Sequence, residues 1–190
     1  MIFETERLIL RPWQDSDADD LYKYASDPQV GPIAGWPVHT SVENSLAIIK
    51  DVLSKPETYA VVLKSAGHAV GSIGLMIGDA SNIGLPEDEG EIGYWIGVPF
   101  WGQGLIPEAV NELIRYGFED LNLKKLWCGY YDGNNKSQRA QEKCGFTYHH
   151  TKKNVPCSLM GDIRTEHITC LTKRNWQKAK KVVNQSRPRE

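Results

Sequence analysis

The stretch that decides the fold is "EIGYWIGVPFWGQGLIPEAVNELIRYGF", residues 91–118. Residues 89–98 read as a strand stopped by Pro99, which has no N–H to give to a ladder. Beyond it, Ile106, Ala109, Val110, Leu113, Ile114, Gly117 and Phe118 recur at the spacing of one helical face, predicting an amphipathic helix over 104–118. Between the two, "WGQG" sets Gly102 and Gly104 directly ahead of that helix. Such a turn exposes backbone N–H groups at the positive end of a helix dipole, and therefore suits an anion. The dinucleotide pattern G-x-G-x-x-G fails because Pro107 stands where its third glycine belongs. The Walker pattern fails because no Lys or hydroxyl residue follows Gly104. What remains is a short cradle of N–H groups from Trp101, Gly102, Gln103, Gly104, Leu105 and Ile106, with Pro107 tolerated in the first helical turn. The same spacing also fits a tight turn that holds nothing.

The chain has 190 residues, 41% of them apolar and 24% charged, with a formal net charge of −2. That composition fits one ordinary globular domain over residues 1–175 with a basic C-terminal tail over 176–190, and not a disordered or nucleic-acid-coating chain. The opening "MIFETERLIL" carries charges where a secretory signal needs an apolar run, and nothing approaches the roughly 18 apolar residues of a membrane span. We therefore expect a cytoplasmic protein with no membrane or nucleic-acid partner. Cys128, Cys144, Cys157 and Cys170 show no C-x-x-C pair and no His at ligand spacing, so neither a disulfide nor a metal is expected.

Outward from the centre, "RLILRPW" (7–13) reads as a strand and "DSDADDLYKYASD" (15–27) as a helix with acidic first turns. "GPIAGWPVHT" (31–40) reads as a loop and candidate lid, followed by a helix over 41–53. "TYAVVLK" and "AVGSIGLMIG", joined by "SAGH", read as a β-hairpin. A strand over 125–131, a helix over 135–145 and strands over 147–153 and 164–172 complete a mixed α/β chain. "KAKKVVNQSRPRE" (178–190) reads as frayed.

Four motifs in order carry a resemblance: "TERLILRP" at 5–12, "EIGYWI" at 91–96, "WGQG" with "EA" after three further residues, and Asn134, Ser137, Glu142-Lys143 and Gly145-Phe146. Together they resemble the GNAT superfamily of acetyl-CoA-dependent N-acetyltransferases, over about residues 3–171. "PFWGQG" keeps the glycines of the signature [QR]-x-x-G-x-[GA] but has Pro99 at its first position, as in the ribosomal-protein N-terminal acetyltransferase (Rim-type) branch. The resemblance implies an α/β (α+β) fold: a mixed, mostly antiparallel twisted sheet of about seven strands flanked by about four helices. A splayed strand pair would form the coenzyme A cleft. It also implies that acetyl-CoA is the co-substrate, its pyrophosphate on the 101–106 amides and its pantetheine arm beside Ile96, Gly97 and Val98, where the strand bulges. A backbone N–H in that stretch would polarise the thioester carbonyl.

Acetyl transfer needs a neutral amine, an oxyanion partner and help for the departing thiolate. Glu91 is the candidate base; it shares a strand face with Gly93, where the missing side chain leaves room for substrate or water. It is equally readable as a solvated carboxylate in "PEDEGE". Family members carry a Tyr on the last helix four residues before Gly-Phe, and here that position is Gln141. The Rim-type pattern offers Ser137 in its place and Asn134 for the pantetheine amides, although both residues also suit helix capping. Trp36 and His39 are candidates for lining the acceptor pocket, or for ordinary loop packing. The cluster Glu87, Asp88, Glu89 and Glu91 would attract a cationic amine. The expected activity is acetylation of a primary amine, a protein N-terminal α-amine or a small cation, in a ternary complex by a monomer or homodimer. The alternatives are a catalytically degenerate acyl-CoA sensor and, more remotely, a dehydrogenase.

Overall fold

The computed structural model describes residues 1–185. One eight-stranded sheet runs through it: β1 (Phe3–Glu4), β2 (Leu8–Arg11), β3 (Thr58–Leu63), β4 (His68–Ile77), β5 (Glu89–Ile96), β6 (Lys125–Tyr131), β7 (Thr147–Cys157) and β8 (Asp162–Thr172). The spatial order is β1-β2-β3-β4-β5-β6-β8-β7, and every neighbouring pair is antiparallel except β5 with β6. The helices are α1 (Ala18–Ala25), α2 (Gly31–Ala34), α3 (Val42–Ile48), α4 (Leu105–Arg115), α5 (Asn135–Lys143) and α6 (Lys173–Gln185). A mostly antiparallel mixed sheet was expected, and the α/β architecture agrees with it.

Strand alternation divides the core between two faces. Val61, Ile73, Leu75, Ile92 and Leu126 point to one side, where α4 buries Leu105, Ile106, Ala109, Val110, Leu113 and Ile114 against them. Burial of side chains of this size stabilises by roughly 1.5–3 kcal/mol each, which anchors α4 and fixes where its N-terminus points. Ala60, Val62 and Ala69 point to the other side, under Leu21 and Ala25 of α1 and Ile49 beyond α3. Two expected helices end in π turns, α3 over Ile49–Leu53 and α4 over Tyr116–Asp120. All four cysteines are buried thiols. Among the described residues no helix is long and apolar enough to cross a membrane.

Expectations for three segments need correction. The basic tail expected from 176 starts instead as helix α6: Trp176 packs on Phe118 with ring centroids 5.4 Å apart, and Lys180 reaches Glu119 at 2.6 Å. Its basic composition hid an amphipathic i, i+4 pair; residues 186–190 lie outside the described ones. The segment 31–40, expected as a loop and candidate lid, is partly helical and tied down. It contains α2, ended by Gly35 at φ 96°, and is tied down where Arg164 Nη1 donates to the Pro32 carbonyl and Cys157 Sγ to that of Gly35. The last hairpin is longer than its sequence suggested because Asn154, at φ 57°, lies in the irregular stretch of β7 between Lys152 and Val155, and Pro156 is accepted on an edge strand.

Candidate active site

The turn between β5 and α4 begins as a 3₁₀ turn over Val98–Phe100. Gly102 (φ 74°) and Gly104 (φ 75°) then take the left-handed conformation that other residues adopt only under strain. The N–H of Trp101 donates to the Val98 carbonyl at 3.1 Å, so the cradle begins one residue later than expected. Among the described residues, the amides of Gly102, Gln103 and Gly104 meet no acceptor. Those of Leu105 and Ile106 open α4, where none is available within the helix, and Glu108 is the first to bond back, to the Gly104 carbonyl. An unbroken run of donors thus extends from Gly102 to Ile106 and ends at Pro107.

This run is braced from the far end of the chain. Glu108, in the first turn of α4, accepts from Thr5 Oγ1 at 2.6 Å, from the Arg7 N–H at 2.8 Å and from Arg7 Nε at 2.7 Å. Arg7 Nη1 in turn donates to the Gln103 carbonyl at 2.9 Å, so that oxygen is engaged by the clamp. The opening "TERL" and the "EA" after the glycines are therefore two halves of one clamp. Burial pushes the Glu108 carboxyl up, but these hydrogen bonds outweigh it and hold the group below its usual range. Gln103 Nε2 closes the turn onto the Pro99 carbonyl. Trp101 contributes its ring instead of its amide: the indole donates to the Ile96 carbonyl at 2.9 Å, and the Lys136 ammonium sits 3.5 Å over it.

Beside the cradle the sheet forks. β5 and β6 pair only at Glu89↔Lys125, Gly90↔Leu126 and Glu91↔Trp127, after which residues 92–96 and 128–131 diverge. Ladder bonds alternate in an antiparallel pair, and the Gly97 N–H is spent on Val70 of β4. The amides of Tyr94 and Ile96 consequently point away from β4, into the fork. Gly97 is thus not a free donor, and the bulge expected there is absent, since β4 and β5 pair in unbroken register. Its backbone (φ −58°) is open to any residue; glycine is required because a Cβ would lie 2.6 Å from Tyr24. Val98 is engaged through its carbonyl in the turn.

Glu91 is the last paired residue before the fork and is only 6% exposed. Its Oε2 accepts from Ser81 Oγ and the Asn82 N–H, both at 2.9 Å. The rest of the expected acidic cluster disperses: Asp88 pairs with Lys124, Glu89 with Lys125 and the Trp127 indole, and Glu87 lies against Gly78. A second carboxylate, missed in the sequence, takes their place. Glu166 of β8 lies over Gly129, where a Cβ would sit 2.7 Å from its Oε1, and it has no hydrogen-bond partner among the described residues. Burial, then the charge of Glu91, push its carboxyl up. The signal was an acidic residue on the same strand face as Ile168 and Cys170.

Residues 7–147 match the acetyltransferase (GNAT) domain family. The chain belongs to the GNAT acetyltransferases. An uncharacterized N-acetyltransferase of Bacillus licheniformis, p20, is 34% identical over 64% of this chain and 68% of its own. In fold, the chain resembles a GNAT-family acetyltransferase of Bacillus anthracis (TM-score 0.79, 22% identity, 92% of this chain and 99% of that one). It also resembles the ribosomal-protein-S5-alanine acetyltransferase of Vibrio fischeri (TM-score 0.71, 22% identity, 93% and 98%).

In this GNAT chain the other side of the fork is closed by α5. Asn134 caps that helix, its Oδ1 accepting from the Ser137 N–H at 3.2 Å, which leaves its amide nitrogen unspent. Ser137 Oγ accepts from Gln141 Nε2 at 3.1 Å and lies 3.0 Å from the hydroxyl of Tyr94, a residue that sequence reasoning did not single out. Trp36 stands edge-on to Trp95 at 5.7 Å, on the strand face shared with Glu91 and Gly93. His39 does not join it at an open surface: it is 8% exposed, with Nδ1 2.8 Å from Ser45 Oγ, and burial pushes its imidazole down. Its place is behind Trp36, as loop packing. Among the described residues no three His, Cys, Asp or Glu side chains come together to hold a metal.

Proposed function

We propose that this single-domain protein transfers the acetyl group of acetyl-CoA directly to a primary amine, a protein N-terminal α-amine or a small cationic amine, in a ternary complex. The observation that carries this is the continuity of the donor run at 102–106 with a strand fork whose apex holds a buried carboxylate. The pyrophosphate lies on the run, and the pantetheine arm follows the unpaired edge of β5, with the side-chain amide of Asn134 available to it. The N–H of Ile96, facing the fork, polarises the thioester carbonyl and then holds the oxyanion.

Glu91 takes a proton from the acceptor ammonium, directly or through a water in the space left by Gly93. The neutral amine attacks the carbonyl carbon, the nitrogen of the tetrahedral intermediate loses its surplus proton to water, and collapse then breaks the C–S bond with its electron pair going to sulfur. Ser137 donates a hydrogen bond to that sulfur. Trp36 and Trp95 wall the acceptor side, and the two acidic groups Glu91 and Glu166 favour a positively charged acceptor. The Vibrio fischeri neighbour, named for acetylating a ribosomal protein, supports the N-terminal amine as one such acceptor.

Calorimetric titration with acetyl-CoA, run beside NAD, tests the reading. Saturable binding of acetyl-CoA alone is expected. Absence of binding would return "WGQG" to an empty turn, and binding without turnover on any amine would make the protein a sensor.

A further inference from the structure

Gln141 is 1% exposed and its amide is held in one orientation. Its Nε2 donates to the Gly129 carbonyl at 3.1 Å, which can only accept, and its Oε1 accepts from Thr169 Oγ1 at 2.7 Å. The remaining amide hydrogen therefore goes to Ser137 Oγ. From the opposite side of the fork, the Tyr94 hydroxyl lies 3.0 Å from Ser137 Oγ and 3.2 Å from the Ser137 carbonyl. Tyr94 belongs to the unpaired part of β5 and Ser137 to the first turn of α5, so this contact spans the mouth of the fork.

We propose that Tyr94 and Gln141 are positioning residues that together aim the Ser137 hydroxyl hydrogen at the departing sulfur. The inference rests on the acetyltransferase reading above. Gln141 permanently fills one lone pair of Ser137 Oγ. Tyr94 spends its single proton on Ser137, either on the carbonyl or on the hydroxyl. When negative charge develops on sulfur, Ser137 turns its own hydrogen to it while Tyr94 donates to Ser137 Oγ, so no donor is lost. Burial pushes the Tyr94 phenol well up and keeps it protonated. It is therefore a fixed donor and not an acid. The thiolate leaves hydrogen-bonded and takes its proton from water, so Tyr94 is never left as a phenolate. Ser137, the group that contacts the sulfur, is thus aimed from both walls of the cleft.

The test uses the full chain, acetyl-CoA and hydroxylamine, a small nucleophile that is neutral at pH 7 and needs no base. Released thiol is followed against the protein-free rate, and acetyl-CoA affinity is measured calorimetrically for each variant. Ser137→Ala should slow turnover about a hundredfold, the scale of losing one preorganised donor, and Ser137→Thr should restore most of it. Tyr94→Phe should cost about tenfold in kcat with acetyl-CoA affinity unchanged, and Tyr94→Phe/Ser137→Ala should be no slower than Ser137→Ala alone. Thr169→Val, which is isosteric and releases the Gln141 amide, should likewise lower kcat only while Ser137 is present; it decides the matter if Tyr94→Phe does not fold.

An unchanged kcat in both variants, or a loss that persists undiminished in the Ser137→Ala background, would overturn the proposal. Wild-type protein that binds acetyl-CoA yet releases no thiol above the protein-free rate would overturn it and leave the binding reading intact. Wild-type protein that fails to bind acetyl-CoA would overturn both.

Discussion

Replacing Glu108 with Gln examines the clamp that links the first strands to the anion cradle. The carboxylate accepts three hydrogen bonds, two from Arg7 and one from Thr5, and is 16% exposed. Bonds to a charged acceptor contribute about 1.5–3 kcal/mol each in isolation but are not additive. Arg7 is 43% exposed, so its guanidinium adds at most about 1 kcal/mol through solvent. Gln keeps one acceptor oxygen but turns its NH₂ toward the Arg7 Nε–H, donor against donor. The net cost should be about 2 kcal/mol, a shift of about 4–8 °C in Tm for a chain of this size.

The pH dependence identifies the cause. The folded-state value of Glu108 lies below its unfolded value, so the carboxylate stabilises the fold fully above about pH 4.3 and the contribution is lost as pH falls through the depressed folded value. Urea titrations of the two proteins should therefore differ at pH 7 and converge in acid. A difference that stays constant down to pH 2.5 would refute the electrostatic account. In the variant, Arg7 also loosens its hold on the Gln103 carbonyl, so acetyl-CoA affinity should drop about three- to tenfold, roughly 0.6–1.4 kcal/mol; undiminished affinity would separate the clamp from the cradle.

Gly104→Val forces a β-branched residue to φ 75°, with only Arg7 Nη2, at 3.7 Å, near the added Cβ. The cost is conformational, about 1–2 kcal/mol, and acetyl-CoA affinity should fall about tenfold while the protein still folds; tight binding would argue against the amide run. Glu91→Gln should lower kcat about 10²- to 10⁴-fold with acetyl-CoA affinity retained, and hydroxylamine, which needs no base, should recover most of the rate. Glu166→Gln should act on stability in the opposite sense to Glu108: its raised folded value means that wild-type stability declines as pH rises through that value. The variant should therefore be the more stable protein at pH 8 and equal to wild type at pH 4, and an equal difference at both would refute the burial, and with it the Glu91 charge, as the cause.

The sequence alone determined what depends on neighbouring residues. The spacing of Ile106, Val110, Leu113 and Ile114 defined α4, Pro99 placed the stop of β5 within three residues of its end at Ile96, and the glycines at 102 and 104 marked the left-handed turn, because these follow from covalent geometry and a single helical period. Motif order was enough to identify the family. Only the tertiary structure decided what meets across the chain. Thr5 and Arg7 find Glu108 about a hundred residues away because β2 lies beside β3 and under α4. Glu166 faces the fork because β8 enters between β6 and β7, an insertion that no local pattern records. The acidic run at 87–91 looked like one cluster in sequence, yet sheet pairing gave Asp88 and Glu89 to lysines and left Glu91 alone at the apex. Nothing local marks Tyr94, whose hydroxyl reaches α5 only because β5 diverges from β6. Strand periodicity specifies which face a side chain takes, whereas the partner on that face is set by sheet order and by where the pairing stops.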